Sequence, residues 1–405
     1  MGTPQTRYLA KRDEIVAAAT DVLNEDGVSG FTLAGVAKRI GMHPASLAYY
    51  FRKKEDLTAV CLMSALDRLQ ALLGEALQAG TPQAQLVRFI ESTFELRRRV
   101  KAGEELALAS FNEIRLIDEP HRTAVMAGFS RLFDGVEKIF TGIGWMSDDA
   151  RKARARFVIE QAMWARVWLE AYEEADYGRA AARLCDLLIN GIAAAGHSWS
   201  GPQTPSPELV HDAKEVSRET FLIAATELIN ALGYRGASVD RISAELNVTK
   251  GSFYYHNSDK NDLVVACFER TFRVMAEAQT KAAAKGGTGW DRLCHAVGRL
   301  VADNASGRKR LLRTHALSAL PLSMRAPIVQ TFERTAHRFA AVISDGIADG
   351  SIRPVDPLIA AELVMATINL SAYVDIWARG MTGQEIFSIY AVPALTGLFN
   401  RQVAS

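Results

Sequence analysis

Cysteine is scarce in this chain of 405 residues, and the four that occur lie far apart. They are Cys61, Cys185, Cys267 and Cys294, and no two of them form a C-x-x-C pair. Isolated cysteines provide neither the ligand spacing of a structural zinc site nor a disulfide framework. We therefore expect no metal and no other cofactor, and a reducing compartment, the cytoplasm, as the location.

The chain also has almost no net charge, since 47 lysines and arginines face 46 aspartates and glutamates. A protein that coats nucleic acid without specificity needs a general excess of positive charge. Any contact with DNA must therefore come from local basic patches, which a sequence-specific reader can have.

Long apolar runs and catalytic motifs are missing as well. The most apolar stretch, 358–377, is interrupted by Glu362, Asn369 and Asp375, so we expect a buried helix there and no membrane span. The first 14 residues have no apolar segment of the kind found in secretory signals. No G-x-G-x-x-G, Walker, H-E-x-x-H or G-x-S-x-G pattern occurs, and we do not expect an enzyme.

An internal repeat is the strongest pattern present. Residues 12–61 align without a gap on residues 218–267, so that Arg12 falls on Arg218 at a constant offset of 206 positions. The two copies share an A-A-T triplet, several glycines, a serine, a tyrosine, a lysine, an Asp-Leu pair and a terminal cysteine. This agreement predicts a duplicated structural unit.

Each copy predicts a helix, a tight turn and further short helices. One apolar helical stripe recurs in both copies: Ile15, Ala18, Ala19, Val22 and Leu23 in the first, and Phe221, Ala224, Ala225, Leu228 and Ile229 in the second. A glycine, Gly27 or Gly233, is expected to end that helix, and Thr32 or Ser238 to cap the next. After a break at Gly41 or Asn247, a second short helix follows, which is the helix-turn-helix pattern.

The second of these short helices carries a recognisable signature. It is VTKGSFYYH over residues 248–256, followed by Lys260, and MHPASLAYYF over residues 42–51, followed by Lys54. Each copy resembles the DNA-binding head of the TetR family. The resemblance implies an all-α fold with two tandem TetR-like units. Each unit has an N-terminal helix-turn-helix head and a helical-bundle body for ligand binding and dimerisation, and the two form an intramolecular pseudo-dimer.

The resulting domain prediction has five parts. They are a first head at 1–60, a first body at 61–197, a linker at 198–207, a second head at 208–266 and a second body at 267–405. The linker is predicted from its Gly, Pro and Ser content. The last helices of the bodies are expected at 177–195 and 383–401, where the family forms its dimer interface.

The predicted DNA contacts come from the start of the second short helix, which faces base edges, and from the resemblance. In the first head they are Thr32, His43, Pro44, Ala45, Ser46, Tyr49, Tyr50 and Lys54. In the second head they are Ser238, Thr249, Lys250, Gly251, Ser252, Tyr254, Tyr255, His256 and Lys260. Because the two sets differ at most base-facing positions, we expect an operator with two dissimilar half-sites.

The resemblance also implies an effector pocket in each body. The candidate lining residues are Phe111, Phe129, Phe133, Trp164, Trp168, His315, Phe332, Met365, Asn369, Tyr373 and Trp377. Rings with few polar groups favour a small apolar or aromatic effector. The function implied is a repressor that binds double-stranded operator DNA and is released by that effector.

Two departures from the family pattern keep a second function open. Ala48 lacks the ring usual at its position, and Asn257 replaces the phenylalanine that Phe51 retains. The alternative is a ligand-sensing or protein-interaction module on a TetR scaffold with weakened or lost DNA binding.

Overall fold

The structure is a computed structural model that describes residues 4–111, 114–204, 218–246, 259–307, 309–374, 378 and 380–401. Within these ranges the regular structure is helical, and the β pairing consists of one isolated bridge between Ala193 and Ile352. The predicted all-α fold is confirmed.

Eight α-helices make up the described part of the first half. They are α1 (Pro4–Gly30), α2 (Leu33–Arg39), α3 (Pro44–Tyr50), α4 (Lys54–Ala76), α5 (Pro82–Lys101), α6 (His121–Glu137), α7 (Asp148–Trp168) and α8 (Tyr177–Asn190). A short 3-10 turn, Ile114–Leu116, joins α5 to α6.

The second half repeats this order in the residues described. Its helices are α9 (Arg218–Gly236), α10 (Val239–Glu245), α11 (Lys260–Lys285), α12 (Gly289–Ala305), α13 (Leu322–Ala348), α14 (Pro357–Ser371), α15 (Gly383–Ile386) and α16 (Val392–Thr396). A 3-10 segment, Thr314–Ala319, precedes α13, and a π-helical turn, Phe387–Ala391, joins α15 to α16.

The predicted apolar stripe of each first helix lies in the core. Ile15, Ala19 and Leu23 on α1 and Phe221 and Ile229 on α9 are all almost fully buried. The buried apolar side chains of both halves belong to one continuous cluster. Burial of this area is the main stabilising contribution to the folded chain.

One helix, α4, is long and apolar enough to cross a membrane by length and composition alone. Its apolar residues, among them Leu57, Leu62, Leu66 and Leu73, are buried in the first half against α1, α5 and α6. The apolar stretch singled out in the sequence contains the buried helix α14, which has only 15 residues.

An asparagine ties each head to its own body. Asn24 on α1 donates through Nδ2 to the Leu108 carbonyl at 2.9 Å, and its Oδ1 accepts from the Ser110 amide at 2.8 Å. Asn230 on α9 makes the same two bonds with the Leu311 carbonyl and the Arg313 amide, at 2.9 and 3.0 Å. The duplication is therefore visible in contacts as well as in sequence.

The two halves meet along α7 and α8 from the first half and α14 to α16 from the second. Arg154 on α7 is buried and donates to the carbonyl oxygens of Leu398 and Ile389, at 2.7 and 3.4 Å. Gln161 donates to the Leu363 carbonyl at 3.3 Å. We call this contact region, α7 and α8 against α14 to α16, the seam.

The chain crosses itself at the end of the seam. Gly191 follows α8 and Gly397 follows α16, both with positive φ, of 73° and 100°. A Cβ at Gly191 would overlap the backbone of Thr396, and one at Gly397 would overlap the backbone around Ile189. The predicted last helices, 177–195 and 383–401, therefore end earlier than expected, because the backbones pass too closely for a helix to continue.

The segment after Gly191 packs against the second half. The Ile192 amide donates to the Leu395 carbonyl at 2.7 Å, and the Ala194 amide to the Ser351 carbonyl at 3.1 Å. The Trp290 indole donates to the Ser198 carbonyl at 2.7 Å. The described part of the predicted linker, 198–204, thus begins in contact with the second body.

Candidate nucleic-acid interface

The local structure of the first head follows from its sequence. The Thr32 hydroxyl accepts from the Gly35 amide at 3.0 Å and caps α2, and Gly41 turns the chain with a φ of 64°. His43 then caps α3, since its Nδ1 accepts from the Ala45 amide at 3.3 Å, and Pro44 occupies the first helical position. The cap at Thr32 and the turn at Gly41 are as predicted, whereas the cap at His43 was not predicted.

The N-terminal end of α3 faces solvent. His43, Pro44, Ala45 and Ser46 are all exposed, whereas Leu47 is fully buried and anchors the helix in the head. His43 uses Nδ1 for the cap, which leaves the Nε2 edge of its exposed ring for a partner outside the chain.

A cluster of three tyrosines stands beside this exposed end. Tyr49 is 75% exposed, and its ring meets the half-buried Tyr50 ring edge to face, with centroids 5.3 Å apart. Tyr8 on α1 stacks on Tyr50 at 4.9 Å and meets Tyr49 at 6.0 Å. Tyr8 lies outside the repeated segment 12–61, so the repeat did not indicate it as a contact residue.

Exposed cations precede and follow α3 in the sequence. Lys38, Arg52 and Lys53 are exposed, and none of them forms an ion pair with a described residue. The predicted contact Lys54 is the first residue of α4 and is partly buried. The first head thus carries exposed cations before and after α3, in a chain whose net charge is only +1.

Other cations of the first head are engaged within the chain. Lys11 pairs with Glu14 at 2.8 Å, and Arg39 pairs with Glu25. Arg12 lies over the buried Phe51 ring, 5.3 Å from its centroid.

The second head is described only in part. The Ser238 hydroxyl accepts from the Arg241 amide at 3.3 Å and caps α10, as predicted. Lys260 begins α11, and its ammonium lies 4.1 Å from the centre of the Tyr234 ring, a cation–π contact. The remaining predicted contacts of this head lie outside the described residues: Thr249, Lys250, Gly251, Ser252, Tyr254, Tyr255 and His256.

Three of the predicted pocket residues of the first body lie together. The Phe129 ring meets Phe111 at 5.4 Å and Phe133 at 5.0 Å, in both cases edge to face, and all three rings are only partly buried. The guanidinium of Arg156 covers Phe133 at 4.7 Å. Trp168 is buried apart from them, against Phe94 and Tyr172.

Trp164 and Phe332, which are predicted to line separate pockets, contact each other across the two halves. Their ring centroids are 6.2 Å apart. The Trp164 indole also donates to the Glu362 carboxylate on α14 at 2.8 Å. Both rings are buried where α7 contacts α13 and α14 of the second half, which periodicity within one half could not reveal.

In the second body the predicted polar residues form hydrogen bonds within the chain. His315 Nδ1 lies 3.3 Å from the Tyr373 hydroxyl. Asn369 accepts from the Thr314 hydroxyl at 3.2 Å and donates to Glu160 of the first half at 2.6 Å. Met365 is buried. Trp377 lies outside the described residues.

Two cavities are found in the first half. One, of about 250 Å³, lies at the junction of head and body and is lined by Val28, Lys54, Glu55, Thr58, Leu116, Ile117 and Asp118. The other, of about 20 Å³, lies inside the body and is lined by Leu69, Phe89, Thr93, Arg97, Leu108, Leu132, Ile159, Ala162 and Met163. Neither Arg97 nor the junction cavity was anticipated from sequence.

Comparison with known families identifies both heads. The family model for bacterial regulatory proteins of the tetR family matches residues 15–61 and again residues 221–267. A second model, the tetracyclin repressor-like C-terminal domain, matches residues 286–377 in the second body. Both heads therefore match the tetR family, and two such units stand in tandem in one chain. Its matched domains are those of regulatory proteins rather than of an enzyme.

Two curated proteins show the same relationship over shorter spans. The transposon Tn10 TetC protein of Escherichia coli is 31% identical over 87 residues, which are 20% of this chain and 44% of that protein. The HTH-type transcriptional regulator BetI of Rhizobium meliloti (strain 1021) is 26% identical over 117 residues, 29% of this chain and 58% of that protein. The chain spans about half the length of these relatives.

Solved structures of TetR-family regulators also match part of the chain. PfmR from Thermus thermophilus is 21% identical, with a TM-score of 0.36, over 44% of this chain and 94% of that one. A regulator from Bordetella parapertussis 12822 is 18% identical, with a TM-score of 0.37, over 44% and 93%.

Proposed function

We propose that this chain is a sequence-specific DNA-binding transcriptional regulator, acting as a repressor in the cytoplasm. The observation that carries the proposal is the exposed N-terminal end of α3, where His43 to Ser46 face solvent, as Tyr49 does further along the helix. Three exposed cations near α3 in sequence form no ion pair with a described residue: Lys38, Arg52 and Lys53. This arrangement belongs to a domain of the tetR family. Helix-turn-helix proteins read the major groove with this end of their second helix, and neighbouring cations hold phosphate.

The proposal assigns both heads to one operator through an intramolecular pseudo-dimer. Arg154 and Gln161 bond across the seam, and one apolar core runs through both halves, which supports a fixed arrangement of the heads. An ordinary homodimer reads a palindrome because its heads are identical. Here the first head offers His43-Pro44-Ala45-Ser46 where the second has Thr-Lys-Gly-Ser at 249–252. We therefore propose two dissimilar half-sites whose centres are roughly 34 Å or more apart.

The effector of this proposed repressor would bind within the first body. The partly exposed rings of Phe111, Phe129 and Phe133 support an apolar or aromatic ligand. The division into heads at 1–60 and 208–266, bodies at 61–197 and 267–405 and a linker at 198–207 remains part of the proposal.

The test is selection of random duplex DNA on the full-length protein. Enrichment of two unlike half-sites bound by one chain would support the pseudo-dimer. A perfect palindrome would contradict the dissimilar half-sites. Absence of any enriched motif would overturn the regulator proposal and favour a sensing or interaction module.

Substitution of an exposed ring on α3 gives a sharper test. Tyr49→Ala removes a 75% exposed side chain, so the melting temperature should stay within 1–2 °C (~0.5 kcal/mol) of the parent protein. Affinity for the selected duplex should fall by about tenfold or more, as expected when one specific contact worth about 1–3 kcal/mol is lost. Leu106→Ala, at an exposed apolar residue of the body, should leave binding unchanged. Equal affinity of Tyr49→Ala and the parent would remove Tyr49 from the interface.

A further inference from the structure

Arg97, a cation in the first body, lacks a full set of acceptors among the described residues. Arg97 on α5 lines the small internal cavity, and its Nη2 donates to the Ala162 carbonyl at 2.8 Å. Its Nε is buried and has no acceptor among the described residues. Burial, together with the nearby guanidinium of Arg166, lowers the pKa of Arg97 to about 10.

Arg166 provides a second cation beside this one. It lies on α7 and donates to the Ser110 hydroxyl at 3.4 Å. In the described part of the chain, neither Arg97 nor Arg166 has a carboxylate within ion-pair distance, and Glu170 acts on both only from farther away. Leaving a charged donor buried without a partner is unfavourable, and an anion supplied from outside would relieve it.

The surroundings of these cations are apolar. Leu69, Phe89, Ile159 and Met163 line the cavity around Arg97. Phe111, which begins the row of three partly exposed rings, follows Ser110 directly. A molecule with an acidic group at one end and an apolar tail at the other matches this combination of cations and rings.

The second body has a buried cation of its own, Arg313, whose donors are satisfied within the chain. Arg313 takes the place of Ser110, since its amide donates to Asn230 as the Ser110 amide donates to Asn24. Its Nε donates to the Ala372 carbonyl and its Nη1 to the Asn230 carbonyl, each at 2.9 Å, while the guanidinium stacks on Tyr373 at 4.1 Å. Because these partners already satisfy the Arg313 guanidinium, it does not require an anionic ligand to offset its burial.

The position equivalent to Arg97 in the second body is neutral. Counted from the capping threonines, Thr81 and Thr288, it is Asn304. The Asn304 amide bonds to the Ser371 hydroxyl at 2.8 Å and to the Leu311 amide at 3.1 Å. The two bodies therefore differ in a way that makes only the first suited to an acid.

From this asymmetry we infer that the first body binds a small organic acid whose carboxylate pairs with Arg97 and Arg166 and whose apolar tail lies among the phenylalanine rings. The cavity of about 20 Å³ has room for roughly one water molecule. The ligand therefore enters by displacing flexible side chains, of which Met163 is the most adaptable. The inference rests on the proposed effector site, and it names the chemical class of the effector.

The experiment compares acids with their neutral amides on the full-length protein without DNA. Phenylacetate and octanoate are titrated by calorimetry beside phenylacetamide and octanamide, and thermal melts are recorded with each. We expect at least one acid to bind ten times more tightly than its amide and to raise the melting temperature. Equal binding of acid and amide, or no binding of either acid, would overturn the inference.

Three arginine variants test where the carboxylate of the ligand binds. Arg97→Gln should lose the preference for acid over amide by tenfold or more, and Arg166→Gln, at an exposed position, should weaken it without a folding defect. Arg131→Gln, an exposed arginine on α6, has the same charge change and should retain the preference. Acid binding that survives both pocket variants contradicts the assignment. DNA binding measured in parallel separates this outcome from failure of the regulator proposal.

Discussion

Two glutamates at the seam lie in surroundings that disfavour their charge. Glu160 on α7 accepts a hydrogen bond from Asn369 at 2.6 Å, and Glu362 on α14 accepts one from Trp164 at 2.8 Å. Burial raises the pKa of each carboxyl from 4.5 to about 7, and the hydrogen bonds offset only part of that effect. Each acid therefore titrates close to neutral pH in the folded protein, and far lower once the chain unfolds.

The consequence for stability has a definite sign. A carboxyl whose folded pKa exceeds its unfolded value stabilises the protein below the unfolded pKa, about 4.5, and this contribution is lost as the pH rises through about 7. Glu160→Gln removes the charge while keeping an acceptor for Asn369. Its free energy of unfolding should exceed that of the parent by about 1–3 kcal/mol at pH 8 and should match it near pH 4.

Urea unfolding at the two pH values measures this difference. Glu277→Gln, at an exposed glutamate on α11, serves as the control and should show no such pH dependence. If the advantage of Glu160→Gln is the same at pH 4 and pH 8, the buried charge is not its cause.

At the scale of elements, the head and the body of each unit are joined by one asparagine hook. Asn24 and Asn230 each use both the donor and the acceptor of the amide, on backbone groups that lie 84 to 86 and 81 to 83 residues further along the chain. An alanine at either position leaves two backbone groups without a side-chain partner.

Asn24→Ala and Asn230→Ala should each lower the free energy of unfolding by about 1–3 kcal/mol. Hydrogen exchange of the amides in α1 to α3 should accelerate in Asn24→Ala, because the first head loses its tie to the body. Asn190→Ala, whose amide bonds to Asp186 at the surface, should cost less than about 0.5 kcal/mol. If hydrogen exchange in α1 to α3 is unchanged in Asn24→Ala, the Asn24 side chain does not hold the first head to the body.

At the scale of the whole molecule, the two halves are locked where Gly191 and Gly397 cross. These glycines are 206 positions apart, the same offset as between the heads. Each has a positive φ and touches the backbone near the other. The crossing is therefore formed by equivalent positions of the two repeats. A side chain at either position would force the last helices apart.

Gly191→Ala should therefore destabilise the protein by about 2–4 kcal/mol, of which backbone strain accounts for about 1–2 kcal/mol. Gly196→Ala is the matched control, since Gly196 has a φ of 84° but nothing lies within 4 Å of an added Cβ. Thermal melts of both variants separate the effect of backbone strain, which both share, from that of steric overlap at the crossing, which only Gly191→Ala has. Equal losses in the two variants would mean that the crossing itself contributes nothing.

Much of the fold is readable in the sequence because it depends on local rules. The apolar stripe of α1, the caps at Thr32 and Ser238 and the turn at Gly41 follow from side chains within a few residues of one another. The duplication is visible in the sequence because the same apolar, glycine and capping positions recur at a constant offset of 206 residues.

The candidate ligand site was harder to predict. Arg97, Arg98 and Arg99 form a run that has the pattern of a solvated surface. In the structure Arg98 pairs with Glu95 and Glu104, and Arg99 with Glu105, while Arg97 alone turns toward the cavity. Helical geometry separates these neighbours by about 100° each, and only packing decides which one is buried.

By itself, the sequence determined that the protein is an all-helical tandem of two TetR-type units, because periodicity, caps and repeats are properties of nearby residues. Only the tertiary structure decided that Trp164 and Phe332 contact each other across the two halves and that the bodies differ in their internal charges. Contacts between residues about 170 to 240 positions apart depend on how the halves pack, and the pattern within either half does not encode them.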